Sequence, residues 1–142
     1  MEYVRTAHSV YHLKYHVVWV CKYRRRILNP GVCSYLSKIL PKLLRSIPGV
    51  RIESIGYDED HVHMVMEIPP RYSIASVIGQ LKSQSASGMR RKFHWLEKVY
   101  WEGRIVWSTG YFVSNVGIDE KTIKNYVEFQ GNQDSGQLRM EL

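Results

Sequence analysis

At 142 residues the chain has the size of one domain around one core, and residues 1–142 read as a single unit. No apolar run is long enough to span a bilayer and Met1–Ser9 lacks the apolar centre of a signal peptide, so a soluble, cytoplasmic protein without a membrane partner is expected. Cys21 and Cys33 form no Cys-x-x-Cys pair, which argues against a disulfide framework or a thiolate zinc site, and 20 Lys+Arg against 13 Asp+Glu (net +7, pI ≈ 9.5) favour a polyanionic partner, nucleic acid above all.

Tyr11 to Val20 alternates as a strand, with Leu13, Tyr15, Val17 and Trp19 on one face and His12, Lys14, His16 and Val18 on the other. The second face is basic, which makes Lys14 a candidate phosphate contact. The run Lys22-Tyr23-Arg24-Arg25-Arg26 follows, an aromatic ring among four cations. It suits single-stranded nucleic acid, the cations gripping phosphate and Tyr23 stacking on a base; a solvated loop of charge is the alternative.

Pro30-Gly31 opens a helix to about Ser46, with an apolar stripe from Val32 to Ile47 and an expected kink or break at Pro41. After Pro48-Gly49, Val50 to Tyr57 reads as a strand and Asp58-Glu-Asp60 as an acidic turn. In the next strand Val62, Met64, Met66 and Ile68 alternate, which leaves His61, His63, Val65 and Glu67 on the opposite face. Two imidazoles side by side on a strand can hold one metal ion between them, although an isolated His-x-His is short enough to arise by chance. Asp60 and Glu67 flank the pair and can hold a water or orient an imidazole.

Pro69-Pro70 stops this strand, and Ser73 caps a second long helix whose buried side runs from Ile74 to Phe93. Lys82 and Arg90-Arg91-Lys92 form a second basic patch, either flanking a nucleic-acid groove or simply solvated. Ile105-Val-Trp107 predicts a strand entering a bent connection at Gly110. Asp119 caps a final helix from Glu120 to about Gln130, followed by a loose polar tail over 132–142. The order β-α-β-β-α-β plus one helix predicts an α+β, ferredoxin-like split βαβ fold: an antiparallel sheet with two helices on one face and the added helix over the open face.

On that last helix Ile123, Tyr126, Val127 and Gln130 share one stripe. A core helix would place apolar residues at all four positions, whereas here a phenol and a carboxamide lie one turn apart. Laid over the open sheet face, Gln130 can complete a coordination set begun by His61 and His63, with the Tyr126 hydroxyl near the metal. A Tyr and a Gln at the margin of a packed helix is the plainer alternative. Without thiolate ligands, Mg²⁺ or Mn²⁺ fits such a site better than structural zinc.

Four segments, Tyr15-His-Val-Val-Trp-Val-Cys-Lys-Tyr-Arg-Arg25, Asp60-His-Val-His-Met-Val65, Trp107-Ser-Thr-Gly-Tyr-Phe-Val-Ser114 and Tyr126-Val-Glu-Phe-Gln130, taken together and in order, resemble the HUH single-tyrosine transposases of small bacterial and archaeal insertion sequences. The resemblance covers nearly the whole chain. It implies a homodimer acting on single-stranded DNA with hairpin ends, cutting one strand through Tyr126 to leave a 5′-phosphotyrosine link and a free 3′-hydroxyl. It also implies a tyrosine helix, residues 116–131, which the partner subunit can supply in trans about a hinge at Gly117. A relaxase or replication nuclease of the same chemistry, a non-catalytic single-strand binder and a hydrolytic metalloenzyme are the competing classes.

Overall fold

The computed structural model describes residues 4–5, 10–11, 13–103, 105–115 and 117–136; His12 and the tail from 137 to 142 lie outside the described residues. A four-stranded antiparallel sheet forms the frame: β3 (Lys14–Val20), β4 (Arg51–Tyr57), β5 (His61–Glu67) and β6 (Phe112–Ser114), in the spatial order β4-β5-β3-β6. A separate two-stranded pair, β1 (Val4–Arg5) with β2 (Val10–Tyr11), precedes it. Helix α1 (Pro30–Leu43) joins β3 to β4, and α2 (Ile74–Lys92) with the short α3 (Leu96–Val99) joins β5 to β6. The expected split βαβ arrangement is therefore present, with the first and third strands of the repeat paired at its centre.

Period-two patterning decides which face each side chain takes. Val17 and Trp19 of β3 and Val62, Met64 and Met66 of β5 are buried in one cluster with Val32, Leu36 and Leu40 of α1 and Val77, Ile78, Leu81 and Met89 of α2. Burial of each of these side chains contributes roughly 1.5–3 kcal/mol before the entropy of ordering is counted. The register pairs Val20 with His61 and Val18 with His63, so both histidines emerge on the face away from α1 and α2. Val18 and Val20 are fully buried on that same face, under α4 (Glu120–Asp134).

Local chemistry sets the helix ends. Asn29 Oδ1 accepts from the Val32 amide at 3.0 Å, and Pro30 occupies the first turn, where its missing N–H costs nothing. The α-helix passes through Pro41 and ends two residues later in a 3₁₀ turn over Leu44–Ser46, so the proline marks its end and makes no mid-helix break. Ser73 and Asp119 cap α2 and α4 through the amides of Ser76 and Thr122.

Two expectations are corrected. Ile105–Trp107 is not a strand: only Trp107 bridges to Cys21, and the strand lies at Phe112–Ser114 beyond the Gly110 bend. The reason is that Val106 and Trp107 are drawn into the core, Trp107 edge-on to Trp19 with ring centroids 5.9 Å apart. The last helix does not end near Gln130 but runs through Asp134, because the polar residues after Gly131 include an anchor.

Candidate active site

His61 and His63 stand side by side on β5, ring centroids 6.1 Å apart. Asp60 Oδ1 lies 2.8 Å from His61 Nδ1, which fixes the ring and leaves Nε2 as the free nitrogen, the usual outer-sphere arrangement for a metal-binding imidazole. Arg24 Nε lies 3.3 Å from the other Asp60 oxygen, and these two partners hold the carboxyl below its ordinary range, the His61 bond first. Burial, aided by His61, lowers the His63 pKa, so its ring is neutral and able to ligate. Glu67 plays no such part: it sits at the far end of β5, 3.7 Å from Arg51.

The His63 ring lies on the β4 backbone at Gly56, its register partner, where an added Cβ would meet imidazole Cε1 at 2.2 Å. Gly56→Ala must push that ring aside. We expect metal affinity to fall about 10- to 100-fold, by analogy with other losses of ligand support. Titration with Mn²⁺ followed by electron paramagnetic resonance reads this directly, and unchanged affinity would show that the ring's position on the glycine is immaterial.

Tyr126 and Gln130 stand one turn apart on α4. The Tyr126 hydroxyl donates to Gln130 Oε1 at 3.3 Å, and Gln130 Nε2 donates to Asp134 Oδ1 at 3.2 Å. Because a carboxylate only accepts, Asp134 fixes the amide orientation and turns Oε1 towards the phenol. The ring of Tyr126 packs 5.6 Å from Phe112, and a Cβ on Gly110 would come within 2.9 Å of Gln130 Oε1. His61 instead shares a hollow of about 360 Å³ with Lys124, Val127 and Glu128 of α4 and with Arg24 and Arg26. No hydrogen bond or ring contact among the described residues joins either histidine to Tyr126 or Gln130. The two halves of the expected site are thus each assembled without a direct bond between them, while Val127 and Ile123, on the stripe of Tyr126 and Gln130, border the hollows of His61 and His63. Among the described residues no trio of His, Cys, Asp and Glu is spaced to hold a metal ion.

Asp134 was not legible as a functional residue. Its side chain is 2% exposed and receives Lys22 Nζ at 3.4 Å, the Tyr23 amide at 3.0 Å, the Ser108 hydroxyl and Gln130 Nε2. It ties α4 to the Lys22–Arg24 3₁₀ turn, where Tyr23 and Arg24 adopt left-handed φ of 58° and 52°. Consecutive left-handed non-glycine residues are costly, and the bond from Asp134 to the Tyr23 amide offsets part of that cost. Its position one turn beyond Gln130, on the Tyr126 stripe, was the available signal. Asp134→Ala should destabilise the fold by about 2–4 kcal/mol, since it strands a lysine and a hydroxyl away from water. Urea unfolding checks the magnitude, and hydrogen exchange should localise the loss to α4 and residues 22–24; uniform exchange would contradict the latch.

The basic residues divide. Lys22, Tyr23 and Arg24 form the latched turn beside the histidines, while Arg25 and Arg26 continue outward from it, Arg26 bordering the His61 hollow. Lys14 is at the other end of β3 and pairs with Glu53 at 2.7 Å. Arg90 turns inward to the carbonyls of Tyr100 and Ile105, and Lys82 to those of Ser108 and Gly110, where burial pulls the ammonium pKa down to about 8. Arg91 is exposed and Lys92 lies over the Tyr35 ring at 5.5 Å, both in the α1–α2 layer behind the sheet. The second basic patch therefore does not border the histidine face.

Residues 9–130 match the family model described as IS200-like transposase. The chain is 35% identical over 128 residues to the transposase of insertion sequence IS200 from Salmonella typhimurium, spanning 90% of this chain and 83% of the relative. It is 29% identical over 126 residues to the ISDra2 transposase TnpA of Deinococcus radiodurans, spanning 88% and 89%. Among solved structures, a chain from Deinococcus radiodurans R1 assigned as a transposase superposes with a TM-score of 0.76 at 29% identity, covering 89% of this chain and 97% of that one. The REP-associated tyrosine transposase bound to a REP hairpin shares the fold, at a TM-score of 0.52 and 15% identity over 96% and 75% of the two chains. By sequence along most of its length and by fold, the chain belongs to the IS200-like transposase family.

Proposed function

We propose that this transposase cuts and rejoins single-stranded DNA at insertion-sequence ends by transesterification, with Tyr126 as nucleophile. The observation that carries the reading is the presence, on one family fold, of two preassembled halves: paired imidazoles held by Asp60 and Gly56, and a phenol–carboxamide pair held by Asp134. Tyr126 Oη attacks phosphorus, the bond to the 3′-oxygen breaks, and the 5′-phosphate remains on tyrosine. The phenolic proton is lost and the departing 3′-oxygen gains one, so no external energy source is needed. The liberated 3′-hydroxyl can later attack a phosphotyrosine and reverse the step.

Tyr126 is a poor nucleophile unaided, its pKa pushed up to about 12 by burial and then by the Asp134 charge. Two imidazoles and the Gln130 oxygen bring no negative charge and leave room for an anionic phosphate, so His61, His63 and Gln130 would hold Mg²⁺ or Mn²⁺ together with phosphate oxygens. Such an ion supplies Lewis-acid polarisation of the phosphate and stabilises the leaving oxygen. The family relation, together with the lack of a hydrogen bond or ring contact between the two halves among the described residues, supports a homodimer in which α4 of one subunit completes the site of the other. Gly117, where an added Cβ would meet nothing within 4 Å, is the proposed hinge. The family relation and the hairpin-bound relative support hairpin-ended DNA as the partner.

A labelled single strand carrying the element's end, incubated with protein and Mg²⁺, should yield a denaturation-resistant complex that a chelator prevents. Hydrolysis or simple binding would leave no such complex. Mixing Tyr126→Phe with His61→Ala subunits should restore part of the cleavage, because one composite site then holds both intact halves. No recovery despite verified subunit exchange would place the tyrosine in cis.

A further inference from the structure

On the far side of Arg26 from the histidines lies a second hollow of about 410 Å³, lined by Arg25, Arg26, Ile27, Trp95, Lys98 and Val99. Three of its six lining side chains are cations and none is acidic. Arg25 and Lys98 have no hydrogen bond or ion pair from their side chains among the described residues, and the Arg26–Glu59 pair at 3.5 Å is too exposed to hold the guanidinium firmly. Trp95 is 38% exposed, unusual for the largest apolar side chain, and Phe93 backs its ring at 6.2 Å.

The platform is rigid. Leu96 and Tyr100, at either end of α3, are essentially fully buried, the Tyr100 hydroxyl donates to the Lys22 carbonyl at 2.7 Å, and Arg90 holds the Tyr100 carbonyl at 2.9 Å. The indole is therefore presented to solvent by a fixed scaffold, at little entropic cost to a ligand. Arg26 borders this hollow and the His61 hollow alike and so joins the two, although the His61 hollow itself carries Asp58, Glu59, Asp60 and Glu128 beside its cations.

The geometry points to a nucleotide subsite here: an unpaired base of the single strand flanking the scissile phosphate stacks on Trp95, and Arg25 and Lys98 hold the phosphates on either side of it. Stacking requires an exposed ring and a single strand requires cations to hold its phosphates, and this hollow offers both with no acidic residue in its lining. The inference rests on the single-strand reading of the site, which it deepens by giving the strand a direction away from the histidines.

Binding of fluorescein-labelled oligothymidylate, measured by anisotropy in chelator so that nothing is cut, tests it. Trp95→Ala should weaken binding about 5- to 150-fold, the usual value of one base–aromatic stack, and Trp95→Phe should recover most of it. In the wild-type protein, ultraviolet irradiation with an oligonucleotide carrying 5-iodouracil should crosslink to the peptide containing Trp95, a readout that does not depend on how the variants fold. Wild-type affinity in Trp95→Ala, an equal loss on a blunt duplex whose bases cannot unstack, or a crosslink mapping elsewhere would overturn the subsite alone. A wild-type protein that binds no single strand at any ionic strength would overturn the single-strand reading with it.

Discussion

Tyr126→Phe should abolish strand cleavage and the covalent complex while leaving the protein folded. The substitution deletes one oxygen and almost no volume, so the packing of the ring against Phe112 is retained. What is lost structurally is one hydrogen bond to Gln130, worth about 1 kcal/mol, and Gln130 keeps its bond to Asp134. What is lost chemically is the only atom of that side chain able to attack phosphorus, so the expected rate change is complete. DNA binding, which the proposal assigns to cations and not to the phenol, should persist. Tyr111 is the nearest tyrosine in sequence, but it packs against the core and lines a different hollow, with Ala75, Lys82, Ala86 and Trp107. Residual cleavage in Tyr126→Phe would direct attention there.

Loss of either imidazole should have an effect of similar size through the other half of the site. In His61→Ala the ring that Asp60 orients is gone, and in His63→Ala the ring resting on Gly56 is gone; each removes one of the two imidazoles proposed to hold the metal. Cleavage in metal-limited buffer should fall below detection, while DNA binding changes little, because phosphate contacts give affinity and the metal serves the chemistry. Removal of His61 also frees Asp60 to pair with Arg24 alone, so no charge is stranded and the fold should hold. Wild-type rates in either variant at limiting Mn²⁺ would remove the histidines from the mechanism.

Much of this site could be read from the chain because its residues obey local periods. Alternation over Val62, Met64 and Met66 put His61 and His63 on the open face, and the helical stripe put Tyr126 and Gln130 on one edge of α4, both as found. Where two distant segments must meet, period says nothing. Lys14 reads as a candidate phosphate contact and Lys82 and Arg90 as part of a second basic patch, yet their partners are Glu53 and backbone carbonyls 10 to 39 residues away. Asp134 lay in a run of Asn, Gln, Ser and Gly whose composition suggests a loose tail; only the fold brings Lys22 and Ser108 to its carboxylate. How the histidines and Tyr126 stand relative to one another is likewise a property of packing, since a stripe fixes which residues share an edge but not which sheet edge it meets.

The central claim is covalent chemistry at Tyr126, and the adduct itself is its most direct test. Wild-type protein is incubated with Mg²⁺ and a single strand labelled separately on each side of the cut, then denatured, digested and mapped by peptide mass. The expected result is a 5′-phosphate joined to the peptide containing Tyr126, with the downstream fragment retained on protein and the upstream fragment released with a free 3′-hydroxyl. An adduct on any other residue, retention of the upstream fragment, or cleavage without an adduct would contradict it.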